Sequence, residues 1–288
     1  MNEIKAQLCD LSIKGKFTGD VRDKKAEAIV DEANHTSNVG KYKKRLFPPE
    51  SCGQINPHTM WLTSCYRVYK FWKDHTAPWE DGRRILACGF LDQFSSRISG
   101  LIDDADAAML KFCEWLPEGK ELAKAKLNGM YNEADYPQVN DIKAKWSVKW
   151  MLFPIPQSHH FIQGIISPAL DQARVELEKH NEIALEESKR AVWMEVLGPV
   201  MHMAETLSLP GKPKFWDSLV GNVVEVAHRI PAINFGGDTK LDEMRDALLK
   251  LTNDVNVEEL RNNPLLREEK ADEASKIVKA FGQFTRKF

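Results

Sequence analysis

Apolar residues recur at intervals of three and four over most of the chain, which is the spacing of amphipathic helices. Turn and cap residues divide this pattern into segments. Asn56-Pro57 is a helix start, because Asn caps a helix and Pro fits its first position, and Pro117 is predicted to end a helix. In the first half, helices are predicted over residues 20–33, 39–46, 57–73, 90–116 and 118–130.

The second half is predicted to be helical throughout. It begins after residues 151–157, whose two prolines favour extended chain. Ser167-Pro168 opens a long helix to Leu197 with a seam of roughly heptad spacing. Small alanines and Asn181 weaken that seam, so we interpret the helix as one arm of a C-terminal intramolecular hairpin rather than a dimeric coiled coil. Further helices are predicted over residues 215–230, 239–251 and 257–262, and from 264.

Only two short segments have a strand pattern. Residues 7–17 alternate loosely, with Gly15 inside the segment and Gly19 just after it, and residues 85–88 form a short apolar run. The predicted fold is therefore mainly α, with a minor short β element near the N-terminus and no sheet of four or more strands. We predict an N-terminal basic and aromatic region, 1–150, and a C-terminal long-helix bundle, 151–288, packed as one unit.

Composition indicates a cellular compartment and excludes several classes of function. The 288 residues are 43% hydrophobic and 28% charged, with a net charge of −2, so a globally basic nucleic-acid binder is excluded. No apolar run is long enough to cross a bilayer, and the first residues lack a secretion signal. The five cysteines form no C-x-x-C pair and are interpreted as reduced thiols. The expected location is the cytoplasm.

No motif for catalysis or metal binding is present. The eight histidines include no H-E-x-x-H, and the adjacent His159-His160 would point about 100° apart on a helix. Gly236-Gly237 lacks the Lys and Ser/Thr of a P-loop, and no G-x-S-x-G occurs. We expect no catalytic residue, no metal site and no cofactor. Metal-dependent hydrolysis is kept only as a remote third hypothesis.

Cations and aromatic residues are concentrated in the first third of the chain. Residues 41–45 contain four cations, and residues 61–84 interleave six aromatics with Arg and Lys. Cations beside aromatic planes are what single-strand binding requires. The alternative is that these aromatics are helix core residues with cations at the edge. The candidate nucleic-acid-binding residues are Lys41, Lys43, Lys44, Arg45, Trp79, Arg83 and Arg84.

Five short segments occur in order over most of the chain: Val39–Leu46 with Pro48, Thr76–Trp79 with Gly82 and Arg83, Asp135–Pro137, Phe153–Pro156 and Phe215–Leu219. Together they resemble an uncharacterised family encoded by phages and some bacteria. Genes of that family often lie beside a CobS-like MoxR-class AAA+ ATPase and a CobT-like von Willebrand A protein. The resemblance implies a phage or mobile-element origin and association with an ATPase machine, but it supplies no catalytic residues.

Two hypotheses of different classes remain. The first is a non-enzymatic accessory or adaptor protein of a bacterial cytoplasm, acting through protein–protein interaction with an AAA+ ATPase or another phage or host protein. The second is a single-stranded nucleic-acid-binding protein that uses the basic and aromatic N-terminal half. Burial of Trp61, Trp72 and Trp79 would count against the second hypothesis. Convergence of the cations on one groove with exposed aromatic faces would favour it.

Overall fold

The computed structural model describes residues 5–37, 39–48, 55–157, 167–211 and 214–285. The fold is mainly α, as predicted. In these ranges no helix is both long and apolar enough to cross a membrane. The α-helices in the described ranges are α1 Lys24–Ala33, α2 Pro57–Asp74, α3 Leu91–Leu127, α4 Val139–Lys145, α5 Pro168–Leu207, α6 Ser218–Ile233, α7 Thr239–Thr252, α8 Val257–Asn262 and α9 Pro264–Phe281.

Strands are more numerous than the sequence pattern indicated. A four-stranded sheet has the order β4-β5-β1-β6, and β2 pairs with β3 in a separate antiparallel ribbon. The prediction of only two strands is therefore wrong, although both predicted strands exist and pair antiparallel with each other. The missed strands are short or lie beside helices, where periodicity gives little signal. Their bounds are β1 Ala6–Lys14, β2 Asp20–Arg22, β3 Lys43–Arg45, β4 Ala77–Pro78, β5 Arg84–Ala87 and β6 Ser147–Phe153.

Cap residues predicted several helix starts correctly, whereas prolines did not predict helix ends. The side chains of Asn256 and Asn263 accept hydrogen bonds from the first N–H groups of α8 and α9. Pro117, however, lies inside α3, and Pro199 lies inside α5. Both helices continue because a proline removes one backbone hydrogen bond, and packing of the adjoining turns can offset that loss.

The chain divides into two compact units that do not follow the predicted boundary. Unit 1 comprises Met1–Asp10, Trp72–Ser95 and Met151–Phe288, and unit 2 comprises Leu11–Phe71 and Ser96–Trp150. Residue 151 is one place where the chain passes from one unit to the other. The N-terminal half is thus shared between the units, and the whole C-terminal half belongs to unit 1.

Unit 1 is built around α5. This helix packs against α9 and α6, and α6 packs against α7. Trp193 of α5 is fully buried and stacks on Phe281 and Phe284, with ring centroids 5.9 and 4.8 Å apart. The hairpin formed by β4 and β5 adds Trp79 and Ile85 to the same apolar core.

Unit 2 has an aromatic core of its own. Trp61 of α2 stacks on Phe112 of α3 at 5.2 Å, and Phe47 packs edge-on against the same ring. His58 is buried among these rings, and burial lowers its pKa. Gly19 has a positive φ of 72°, and a Cβ there would lie 2.6 Å from the His58 ring, so this site requires glycine.

Candidate functional site

The basic segment 41–45 contains a strand and not the predicted helix. Strand β3 pairs with β2 in the register Asp20–Arg45, Val21–Lys44 and Arg22–Lys43. Successive side chains of a strand point to opposite faces. Lys43 and Arg45 are therefore exposed, whereas the Lys44 side chain between them is only 7% exposed.

Lys44 is an internal ion-pair partner and not a phosphate contact. Its Nζ lies 2.7 Å from Asp135 Oδ2 and 3.6 Å from Asp23 Oδ2, and it donates to the Met130 carbonyl at 2.7 Å. The interpretation of Lys44 as a nucleic-acid-binding residue is therefore wrong. A cation neutralised by two carboxylates has little attraction left for a phosphate.

Asp23 has a second role in the same place. It is the N-cap of α1, and its Oδ1 accepts hydrogen bonds from the N–H groups of Lys25 and Ala26. The Ala26 N–H, and after it the Lys44 ammonium, hold the pKa of Asp23 below its usual range. One carboxylate thus begins a helix and anchors the inward face of the ribbon.

Three of the four cations in the segment stay at the surface. Lys41, Lys43 and Arg45 are exposed. Arg45 Nε lies 3.9 Å from Asp20 Oδ1, a loose pair of two solvated side chains. Unit 2 thus retains a small positive surface on the ribbon, made of three residues rather than four.

Trp79, a candidate for stacking on bases, is buried at 7% exposure, which counts against that role. The segment 76–84 forms the β4–β5 hairpin. Asp81 and Gly82 both have positive φ and make the turn, and the Trp79 N–H donates to the Arg83 carbonyl at 2.8 Å. The hairpin directs the indole into the core of unit 1.

Arg84 is buried as well, and the proposal that it contacts phosphate is not compatible with its position. Its Nε donates to Thr76 Oγ1 at 2.7 Å, and its Nη2 donates to the carbonyls of Thr76 and Lys73. The guanidinium lies over the Trp72 ring, 5.7 Å from its centroid. Arg84 therefore binds the last turn of α2 to β5.

Arg83, the neighbour of Arg84, is half-buried. Its Nη2 lies 3.1 Å from Asp10 Oδ2, and its guanidinium is 5.6 Å from the centre of the Phe153 ring. Trp79, Arg83 and Arg84 thus lie together on one hairpin of unit 1. The cations of the ribbon belong to unit 2.

The remaining aromatics of residues 61–84 divide between core and surface. Trp61 is fully buried, and Trp72 is half-buried and donates its Nε1 proton to the Cys9 carbonyl at 2.9 Å. Tyr66 and Tyr69 are the exposed ones, at 59% and 43%. The indole rings that would have stacked on bases therefore serve the two cores.

The described residues contain no cluster of side chains that could form a metal centre. Among them, no three His, Cys, Asp or Glu side chains are grouped closely enough to hold an ion. Burial raises the pKa of Cys9 to about 12 and that of Cys65 to about 11, and Cys88 is exposed. Cys52, His159 and His160 lie outside the described residues.

The most exposed large apolar side chain described in the chain is Trp216, at 83%. Sequence analysis placed this residue at the start of a helix and assigned it no role. The predicted apolar stripe of that helix runs through residues 215, 219, 223, 226 and 230. Trp216 lies outside that stripe. A large aromatic residue outside the apolar stripe of its helix is expected to be exposed, and this pattern could have identified Trp216 from the sequence.

The backbone around Trp216 is held firmly. Arg261 donates from Nε and Nη2 to the Phe215 carbonyl at 3.3 and 3.1 Å and from Nη2 to Asp217 Oδ1 at 2.6 Å. The Trp216 carbonyl itself accepts from the Leu219 N–H at 3.0 Å. Buried Arg267 donates from Nη2 to the Gly211 carbonyl at 2.9 Å.

This arrangement presents an indole to solvent on a fixed backbone in unit 1. Trp is enriched at the energetic centres of protein interfaces, and a preorganised anchor loses little conformational entropy on binding. Other apolar side chains of unit 1 are exposed as well, among them Leu265 at 78%, Val175 at 65% and Leu209 at 57%. Single exposed aliphatic side chains are common on protein surfaces, so the argument for recognition depends on the large indole of Trp216.

The chain matches no family model, no curated protein and no solved structure.

Proposed function

We propose that this protein is a non-enzymatic adaptor that binds a partner protein through the surface centred on Trp216. The observation that carries the proposal is the 83% exposure of an indole whose preceding carbonyl, that of Phe215, accepts hydrogen bonds from Arg261. Leaving a large apolar ring in water gains nothing for folding, whereas burial against a partner is favourable. The side chain therefore serves binding.

The partner class follows from the family resemblance. Phe215–Leu219, the segment that contains Trp216, is one of the segments that carry it. We propose an AAA+ ATPase of the MoxR class, or another phage or host protein, as the partner, in the cytoplasm of a bacterial host. The exposed Trp216 in unit 1 supports binding of a protein partner. The class of that partner is proposed from the resemblance.

A quantitative pull-down from cells that carry the gene tests this function. The baits are the wild-type chain, Trp216→Ala, and Met194→Ala as a matched control, because Met194 is also exposed, at 55%, on α5. We expect a set of proteins that wild type and control capture equally, that Trp216→Ala loses, and that nuclease treatment leaves in place. Equal capture by all three baits, or loss of capture on nuclease treatment, would contradict the proposal.

Single-stranded nucleic-acid binding is the second candidate, and one observation favours it. Lys41, Lys43 and Arg45 remain exposed on the ribbon of unit 2. Three phosphate contacts on a single strand give a slope of log K against log salt of about −2. Titration of a fluorescent oligothymidine at several salt concentrations tests this, with Lys41, Lys43 and Arg45 replaced by Gln as the variant. Absence of binding at low salt, or an unchanged slope in the variant, would exclude this function.

A further inference from the structure

Unit 2 contains a groove of about 650 Å³ beside α1. One wall is the start of α1, and the other is the segment 129–135. Asp23 and Lys44, with their internal ion pair, contribute to its lining. The remaining lining residues are Arg22, Lys24, Lys25, Ala26, Ile29, Gly129, Met130, Tyr131, Asn132 and Asp135.

Helix α1 has an apolar side that the described part of unit 2 does not cover. None of its ten residues is buried, and Ile29 and Val30 are 66% and 52% exposed. An isolated helix of this length is marginal in water. Its Asp23 cap and the bond from the Tyr42 N–H to Glu27 Oε1 at 3.0 Å hold its beginning. A partner that covers Ile29 would add the packing that α1 lacks.

The charges that line the groove determine whether the bound segment of that partner should be acidic or basic. Lys24 and Lys25 are exposed at the start of α1, and Arg22 beside them is paired with Glu27. Toward the other end of the helix the sign reverses, since Asp31 and Glu32 lie in its last turn. The accessible charge at the groove itself is therefore positive, although the helix as a whole is not.

We infer that this groove binds an acidic amphipathic segment of a partner protein. Carboxylates of the segment would pair with Lys24 and Lys25, and its apolar side chains would pack on Ile29 and Met130. This is helix-in-groove recognition with complementary charge. The surface is separate from that of Trp216, which belongs to unit 1, and the inference does not depend on it.

A nucleic-acid strand fits the groove less well than a protein segment does. A strand is negative along its whole length and would meet Asp31 and Glu32 beyond the lysines. The aromatic ring in the lining, Tyr131, packs on Tyr136 at 5.3 Å, and its hydroxyl donates to Glu133. Stacking of bases, the usual source of single-strand affinity, is therefore poorly provided for.

A fluorescent peptide tests the inference directly. The probe is an amphipathic helical peptide of about 15 residues made of Ala and Leu with Glu confined to one half, so that its carboxylates can meet the lysines without reaching Asp31 and Glu32, and its matched controls carry Lys for Glu, or Ala for Leu. We expect the Glu/Leu peptide to bind the full chain, both control peptides to bind at least about tenfold more weakly, and affinity to fall with salt. Fluorescence anisotropy gives the dissociation constants.

Variants of the chain locate the site. Lys24→Glu with Lys25→Glu should weaken peptide binding by about tenfold or more, and Ile29→Ser by about fivefold. Acidic residues in the first turn favour a helix, so a loss of binding in the lysine variant is not a loss of α1. Lys143→Glu with Lys145→Glu makes the same charge change at two exposed residues of unit 2 that do not line the groove, and it should alter affinity by less than about twofold.

Several results would overturn the inference. These are no binding of the Glu/Leu peptide at low salt, equal loss in both pairs of lysine variants, and competition by oligothymidine that depends on Lys24 and Lys25. The last result would assign the groove to nucleic acid. Trp216→Ala should leave peptide affinity unchanged, so failure here is distinguishable from failure of the adaptor function.

Discussion

At the scale of single residues, neighbouring cations in this chain have opposite roles. Lys43 faces solvent, and Lys44 is buried between two carboxylates. Arg83 is half-buried, whereas Arg84 is buried against backbone carbonyls. In the first pair the strand β3 alternates its faces, and in the second Arg83 belongs to the hairpin turn whereas Arg84 begins the buried strand β5. Backbone position, not charge alone, therefore decides which cations are available to a ligand.

Replacing Lys44 with Met should destabilise the protein severely. The substitution leaves the Asp23 and Asp135 carboxylates close to one another without their cation. Removal of one partner from a buried ion pair costs about 3–5 kcal/mol. Urea unfolding of Lys44→Met measures the loss, and Lys43→Met, on the same strand but exposed, should stay within about 0.5 kcal/mol of wild type. Equal stability of the two variants would contradict the ion-pair assignment.

The same group gives a pH dependence with a defined sign. The pKa of Asp23 is depressed in the folded protein, first by the Ala26 N–H and then by Lys44. A depressed carboxyl pKa contributes stability above the unfolded pKa of about 3.9, and that stability is lost as the pH falls below it. Asp23→Asn should therefore reduce the difference in the free energy of unfolding between pH 6 and pH 3. An unchanged difference would show that Asp23 is not involved.

Among the described cysteines, Cys88 should react first with a thiol reagent under native conditions. Cys88 is exposed, whereas burial raises the pKa values of Cys9 and Cys65 and keeps both thiols protonated. Cys88→Ser should remove one fast-reacting thiol in a titration with Ellman's reagent. Full reactivity of Cys9 and Cys65 should require denaturant, and their rapid reaction in the native protein would contradict the packing.

At the scale of elements, the sequence revealed helix starts better than strands or helix ends. Asn56, Asn256 and Asn263 cap helices where the sequence predicted, because a side-chain cap acts over three residues. The three-residue strand at Lys43–Arg45 depends on pairing with a distant segment, so no local pattern indicates it. The buried positions of Lys44, Trp79 and Arg84 follow from such pairing and were missed for the same reason.

Arg84 connects the end of α2 to β5, and replacing it should destabilise both elements. Arg84→Met removes the donors to Thr76 and to the Lys73 carbonyl at the end of α2. Loss of hydrogen bonds from a buried charged group costs about 2–3 kcal/mol. Arg83→Met, which loses a more exposed pair, should cost less than about 1 kcal/mol. Thermal unfolding distinguishes the two, and a larger effect at Arg83 would refute the assignment.

Helix α1 should be the least protected of the longer helices. None of its residues is buried, whereas the Val223 and Ile230 positions of α6 are fully buried. Helices without buried apolar contacts open with little free energy. Hydrogen exchange should show rapid exchange of α1 amides and slow exchange of α6 amides, and α1 should slow when the acidic peptide is bound. Equal protection of the two helices in the free chain would contradict this.

At the scale of the whole molecule, each unit has its own apolar core, so binding surfaces can differ between units. The sequence predicted a mainly α protein but not its division, because the chain enters each unit more than once. The candidate binding residues predicted from the sequence all lie in the basic and aromatic N-terminal half. The structure uses most of those aromatics in its cores and leaves Trp216, in the C-terminal half, as the most exposed of the described large apolar side chains.

The central claim, that Trp216 anchors a partner protein, is tested most directly by a purified binary complex. The measurement is calorimetric titration of the most strongly captured partner with wild type, Trp216→Ala and Met194→Ala. We expect a dissociation constant at least about tenfold weaker for Trp216→Ala, as is typical of an interface hot spot, with a melting temperature unchanged from wild type. The same dissociation constant for wild type and Trp216→Ala would contradict it.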